Sequence, residues 1–567
     1  MSSSVPASSE SERENDEQED VKEKNQARLV PLHARLFSDQ TTPVEAYRCL
    51  VREDDRDAPS FLFESVVNGS ASGRYSYVGA QPDLEVLAHG KRVTVLDHMR
   101  GERSVTHEED PLLVPARLTP NTAEPPPGLA GTFCGGWVGY TGYDTVRYAY
   151  ERKLPFETAP DDDRELPDIH MALYTSMVIF DSALKLLHIV VWVKDEPEAL
   201  ATGKRRLDTY LDRLSPANRV HLDYGFVSQD LNLAAVGDAG AGTSRVSRED
   251  FAARVVKAKE HILAGDIFQV VLSHRFERRT LADPFEVYRA LRVVNPSPYL
   301  IYMQARGSII VASSPEILAR VTAPGSDGRR TVVNRPLAGT RRRGKSHEED
   351  IETERGLLAD EKERAEHIML VDLGRNDVGM VAEAGSVRVE SLMDIERYSH
   401  VMHISSTVTG SLKEGLTPWM ALRAALPAGT VSGAPKVRAM QIIDDLEDQR
   451  RGPYGGGIGY VGFGGEMDIA LALRTMVIPT GNEDALYSYR RGKYPTAQKY
   501  HRKEWNVHVQ AGAGVVADSD PIMEYEETVN KAAGLARAID LAESAFLGND
   551  VDGDDHDEKS PLHSVHR

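Results

Sequence analysis

Apolar positions along the chain follow two rhythms. From about residue 28 to 225 they come in short runs, FLFESVV (61–67), TFCGGWVGY (132–140), ALYTSMVIF (172–180) and LHIVVWV (187–193), separated by Gly, Pro and Asp clusters. Runs of this length, rich in β-branched and aromatic residues, predict strands. A second region, about 245–547, opens with RVVKAKEHILAGD (254–266), whose apolar spacing of three and four predicts an amphipathic helix. Strands and helices then alternate as far as a long closing helix, YEETVNKAAGLARAIDLAESAF (525–546). A polar stretch, 488–503, interrupts what otherwise reads as a hairpin. Residues 230–242 (DLNLAAVGDAGAG at its core) read as a linker, and the polar ends, 1–27 and 548–567, as disordered tails.

Charge changes this picture more than size does. The chain has 567 residues and a formal net charge of −20. So acidic a chain lacks the basic face that nucleic-acid binding needs, and it can hold an anion only where local groups reverse the field. No apolar run approaches the ~18 residues of a membrane span. Two cysteines, Cys49 and Cys134, cannot build a disulfide framework and point to a reducing compartment. The N-terminus is Ser-rich but acidic and has no apolar core, so the cytoplasm is the expected location, with a plastid as the alternative.

Candidate chemistry lies in glutamates and glycines. Glu363 and Glu366, and again Glu524 and Glu527, stand at i, i+3 on predicted helices, so each pair shares one face. A single pair of this kind reads as a solvated surface; two pairs beside glycine-rich strands suit Mg²⁺, which takes one or two carboxylates together with water and substrate oxygens. Glycine-rich turns recur at LAGTRRRG (337–344), PAGTVSGAPK (427–436), PYGGGIGY (453–460) and QAGAG (510–514), where backbone N–H groups can approach an anion closely. None has P-loop or dinucleotide-binding spacing.

With GDIFQVVLS, NPSPY, SSPE, PLAGTR, EHIMLVDLGRND, VMHISSTVTG, GPYGGGIGYVGF and VQAGAGVVADSDP in this order, the chain from about 245 to 545 resembles the chorismate-utilising enzymes. FLFES and GRYSYVGA resemble the N-terminal domain of the anthranilate synthase large-subunit family. The resemblance implies an α+β fold: large antiparallel sheets in a sandwich, flanked by helices, with the active site in a cleft between the sheets. It also implies a Mg²⁺-dependent amination of chorismate followed by loss of pyruvate, a lyase reaction. Glu366 and Glu527 match the metal ligands, with Glu363 and Glu524 nearby and Glu363 also in the catalytic set. Gly339, Thr340, Tyr454, Arg474, Gly512, Ala513, Gly514 and Lys531 match substrate-binding positions.

Glu316 matches the family's general acid, and His403 a position close to the substrate ring. Gln269 stands where isochorismate and salicylate synthases carry a water-activating lysine, and an amide cannot act as that base. Ala338 stands where aminodeoxychorismate synthases carry a lysine nucleophile; Thr430 fits the amine-transferring branch. Ser65, with Glu64 beside it, and Pro298, Tyr299 and Leu300 match a pocket for tryptophan as feedback inhibitor. Neither cysteine has the setting of a glutaminase nucleophile, which implies a separate glutamine amidotransferase subunit and a hetero-oligomer. The alternatives are an aminodeoxychorismate synthase large subunit and a catalytically inert tryptophan sensor.

Overall fold

A computed structural model describes residues 28–51, 58–65, 73–216, 231, 240–398, 401–481 and 503–547. The two expected tails, most of the expected linker and nearly all of the 488–503 stretch lie outside the described residues. The short apolar runs form strands Ser60–Glu64, Gly136–Thr141, Ile169–Tyr174, Ser176–Asp181 and Leu186–Lys194. The two expected helices are Arg248–Leu263 and Pro521–Phe546. Each is N-capped as its sequence allows, by the Ser247 hydroxyl and by the Asp520 carboxylate. Strands Thr475–Gly481 and Trp505–Val515 pair as the hairpin expected around the polar stretch.

Among the described residues every pairing between named strands is antiparallel, and these strands make two twelve-stranded sheets. Both sheets draw on both regions of the chain. In the first sheet Ser60–Glu64 pairs with Tyr299–Ala305; in the second Gly136–Thr141 pairs with Gly457–Gly462. The hydrogen-bonded framework therefore runs unbroken across the two sequence regions.

Alternation along the strands builds the layers. Ile301 and Met303 of the first sheet join Val138, Tyr140 and Ile458 of the second in a buried core between the sheets. Their neighbours Leu300 and Tyr302 point the other way, into a core shared with the helices Pro284–Val294 and Pro521–Phe546. The outer face of the second sheet is covered by Glu361–Val381 and Pro418–Ala425, through Val371, Val378, Leu422 and Ala425. The architecture is thus α+β, helix layer on sheet on sheet on helix layer. Among the described residues no helix is long and apolar enough to cross a membrane.

The chain crosses between the sheets at two points that matter for chemistry. Strand Gly307–Ser314 belongs to the first sheet and Ile317–Val321 to the second, with Glu316 in the crossing. Strand Met467–Leu471 belongs to the second and Thr475–Gly481 to the first, with Arg474 in the crossing. A backbone hydrogen bond from Ser313 to the Arg474 carbonyl ties the two corners together.

Candidate active site

Glu316 is buried, and its carboxylate accepts a hydrogen bond from the Thr430 hydroxyl at 2.8 Å. Burial pushes its pKa up to about 8, the Thr430 bond opposing. Among the described residues no cation pairs with it, so burial favours the protonated acid at neutral pH. It borders a small cleft with Asn334, Leu370, Asp377 and Thr430.

The strand Leu337–Arg342 follows Pro336, which lines the same cleft. Its register breaks between Ala338 and Thr340, where Gly339 adopts φ +62° and Thr340 pairs with His403. The Gly339 carbonyl and the Thr340 hydroxyl lie 3.0 and 3.1 Å from His403 Nδ1. A carbonyl only accepts, so Nδ1 carries the proton and Nε2, buried without a partner, is left as an acceptor. Burial, helped by Arg474, lowers this imidazole to about 4. Arg474 is half-buried at φ +47°, and no carboxylate lies within ion-pair distance of it among the described residues. Burial pulls its guanidinium below the usual range. A cation lodged this way is suited to an anion from outside the protein.

The carboxylates converge from helices in opposite layers. Glu363 and Glu366 lie on Glu361–Val381; Glu524, Glu527 and Lys531 lie on Pro521–Phe546. Burial raises the Glu366 carboxyl, with Glu363 and Glu527 adding to the rise and the Gln269 hydrogen bond opposing it. Gln269 Nε2 donates to Glu366 Oε1 at 3.2 Å, while its Oε1 is buried and unpaired. Glu524 is likewise raised, by burial first and by Glu527 after the opposing Ser519 bond. Lys531 Nζ bridges Glu527, at 2.7 Å, and the Gly512 carbonyl, at 2.9 Å.

The glycines are fixed by space. A Cβ at Gly514 would sit 2.6 Å from the Gln269 amide, and one at Gly512 would sit 3.0 Å from the Tyr454 hydroxyl. Ala513 lies between them, fully buried. Burial raises Tyr454 to about 12, so its hydroxyl stays a donor.

The structure thus gathers Gln269, Glu366, Glu527, Lys531, Gly512, Gly514 and Tyr454 in one group and Gly339, Thr340, His403 and Arg474 in another, with Glu363 reaching from the helix of Glu366 to Gly339. Ser65, Pro298 and Tyr299 lie at the seam between the two sequence regions, where Leu300 pairs with Glu64. The Ser65 hydroxyl is buried without a partner. Tyr299 donates to Asp468 at 2.7 Å between the sheets, and Leu300 packs into the core on the other face of its strand.

Sequence reasoning missed Arg341, which binds Glu363 and Asp360 at 2.9 Å each, and the buried pair Arg451 and Glu447. The run of three arginines in LAGTRRRG was the available signal for the first. Burial pushes the Cys134 thiol well up, and Cys49 is also buried.

The family model for chorismate binding enzymes matches residues 59–537. Anthranilate synthase alpha subunit 1, chloroplastic, of Oryza sativa subsp. indica is 59% identical over 532 residues, covering 92% of this chain and 89% of the relative. Anthranilate synthase component 1 of Acetivibrio thermocellus is 41% identical over 518 residues, covering 91% of this chain and 96% of the relative. The crystal structure of anthranilate synthase component I from Streptococcus pneumoniae TIGR4 superimposes with a TM-score of 0.64 at 32% identity, covering 88% of this chain and 99% of that one. With its family match, its relatives and its fold in agreement, the chain belongs to the chorismate-binding enzymes, in the branch of the anthranilate synthase large subunits.

Proposed function

We propose that this chain converts chorismate and ammonia into anthranilate, pyruvate and water, the entry step of tryptophan synthesis. Chorismate is a dianion, and the free Arg474 guanidinium at the sheet crossing, with Lys531 on the facing helix, supplies the fixed cations it needs. Gly339, Thr340, Tyr454 and the Gly512–Ala513–Gly514 strand line the remaining walls.

The observation that carries the choice of nucleophile is Gln269. Its amide is hydrogen-bonded to Glu366, so the position holds no base able to activate water. Ammonia needs no such activation. As its nitrogen bonds to C2 of chorismate, the ring double bonds shift and the C4–O bond breaks. Glu316, protonated because buried, gives its proton to the departing hydroxyl, which leaves as water. Removing the C2 proton and breaking the enolpyruvyl C–O bond then release pyruvate and aromatise the ring. His403 Nε2, a neutral acceptor, is placed to assist proton movement at the ring.

The residues fit a divalent cation. Glu366 and Glu527 come from two helices; burial raises the Glu366 carboxyl and the Glu363 and Glu527 carboxylates add to the rise, a cost that a bound Mg²⁺ would offset. Among the described residues no cluster of three or more His, Cys, Asp or Glu stands close enough to hold a metal by itself, so water and substrate oxygens would have to complete the coordination. Glu366 and Glu527 would hold it, with Glu363 and Glu524 nearby, and when bound it anchors the substrate's ring carboxylate and offsets developing negative charge. Incubated with chorismate, Mg²⁺ and ammonium, the purified chain is expected to produce anthranilate fluorescence, and EDTA to abolish it. A chain that forms no anthranilate under these conditions refutes the reading.

The ammonia source is a separate glutamine amidotransferase subunit. The terms "component 1" and "alpha subunit" in the relatives' names support this, as does the buried, protonated state of Cys134. Tryptophan as feedback inhibitor is supported by the buried, unpaired Ser65 hydroxyl, next to Glu64, which pairs with Leu300. Ser65→Phe is expected to weaken inhibition about tenfold or more, because a ring there overfills the pocket, while turnover without tryptophan persists. Unchanged inhibition in a tryptophan titration removes Ser65 from the pocket. For location, the chloroplastic label of the rice relative favours a plastid over the cytoplasm; import of the full chain by isolated plastids decides between them.

A further inference from the structure

Behind the walls of the site lies a charge pair that the reaction itself does not use. Arg451 is 2% exposed and Glu447 6%, four residues apart just beyond the helix Lys436–Leu446. Arg451 Nε donates to Glu447 Oε2 at 2.9 Å, and Nη2 to Glu447 Oε1 at 2.6 Å. Replacing a buried ion pair by well-packed apolar residues is often neutral or stabilising, so stability alone does not account for this one.

What sets it apart is where its other bonds end. Arg451 Nη1 donates to the Val431 carbonyl at 2.5 Å, and Val431 follows Thr430, whose hydroxyl holds Glu316. Nη2 also donates to the Val271 carbonyl at 2.8 Å, two residues past Gln269 on the same strand. Glu447 Oε1 accepts from the Ser273 backbone N–H and hydroxyl at 2.7 and 3.1 Å, and Gln510 Nε2 donates to that hydroxyl at 2.9 Å, two residues before Gly512. The guanidinium also lies 4.6 Å from the Tyr143 ring centroid and 5.9 Å from that of Tyr454. One planar group with fixed donors thus reaches the Thr430 turn, the Gln269 strand and the Tyr454 ring, and its partner Glu447 reaches the glycine strand through Ser273 and Gln510. Lysine, a point charge on a flexible stem, cannot make these bonds together.

We infer that the Arg451–Glu447 pair is a positioning device that fixes the Thr430 turn, and through it the acid Glu316, against the strands carrying Gln269 and Gly512. The inference rests on the amination reading above and adds to it the residues that set the geometry. Small displacements of reacting groups are costly, about 10²-fold for 1 Å, and they act on the chemical step more than on substrate capture.

Arg451→Lys is therefore expected to keep its fold and its chorismate affinity within about threefold while kcat falls about 10²-fold. Its pH profile carries the specific signature. The Thr430 hydroxyl holds the Glu316 carboxyl down, so loosening the turn lets that carboxyl rise and moves the alkaline limb of kcat to higher pH. Thr430→Val is expected to move the limb the same way, and the double variant no further. Arg147→Lys, in the equally buried Arg147–Asp144–Asp444 network outside the site, is the control: it lowers stability without moving the limb. If Arg451→Lys does not fold, Glu447→Gln and Ser273→Ala carry the same expectations. A wild-type kcat and limb in the folded variants, or additive shifts in the double variant, overturn the inference. Absence of anthranilate from the wild-type chain in the same assay sinks the proposed function instead.

Discussion

Glu316→Gln is expected to lower kcat by about 10²–10⁴, the usual worth of a positioned general acid, with chorismate affinity nearly unchanged. Glutamine keeps the size of the side chain and its hydrogen bond with Thr430 but cannot deliver a proton to the leaving hydroxyl. The pH dependence follows from burial. The folded carboxyl titrates at about 8, raised from 4.5, and the protonated form is the competent one. Activity in the wild-type chain is thus retained below that value and falls as pH rises through it. Stability follows the same sign: a carboxyl raised on folding contributes stability that is fully present below its unfolded pKa and is lost as pH rises through the folded one. The glutamine variant lacks this loss, so above pH 8 it is expected to melt no lower than wild type while being nearly inactive. Steady-state kinetics from pH 6 to 9.5, with thermal melts alongside, check both halves. A variant with wild-type kcat at pH 7 removes Glu316 from the reaction.

Glu316 also shows what a one-dimensional pattern carries and what it does not. The strands on either side of it are legible as apolar runs, and the SSPE motif marks it through resemblance. That it sits where the chain leaves one sheet for the other is not legible, because strand pattern specifies which face is buried and not which strand is the neighbour. The pairings of Ser60–Glu64 with Tyr299–Ala305 and of Gly136–Thr141 with Gly457–Gly462 are of the same kind; they join residues more than 200 positions apart.

The glutamate pairs at i, i+3 were readable because helical spacing puts both on one face. Their electrostatic partners were not. Arg341 engages Glu363, and Arg451 engages Glu447, by contacts that only the folded chain brings about, and an arginine in a glycine-rich turn looks the same in sequence whether it faces solvent or a carboxylate. Tyr299 and Leu300 make the converse case: the period of two along a strand already sends their adjacent side chains to opposite faces.

Glu366 is where the remaining large effect is expected. Its carboxylate is half-buried, meets Gln269 at 3.2 Å and faces Glu363 and Glu527 with no cation bound directly to it among the described residues. Glu527 is more exposed, with 48% of its side chain accessible, and is already paired with Lys531. The two proposed ligands are therefore unequal. A metal gains more from a carboxylate in a low-dielectric site without a counter-ion than from one that water and an ammonium already serve. Glu366→Gln is expected to cost about 10³-fold in kcat/KM, the several kcal/mol a bound metal contributes to developing charge, and Glu527→Gln about ten times less. Direct binding of Mn²⁺ as a probe, followed by its paramagnetic signal in the absence of chorismate, should weaken in the same order. Wild-type turnover with undiminished Mg²⁺ dependence in Glu366→Gln sinks the metal assignment. Equal losses in the two variants would leave a metal site but contradict the ranking, because burial and the missing counter-ion are what set Glu366 apart.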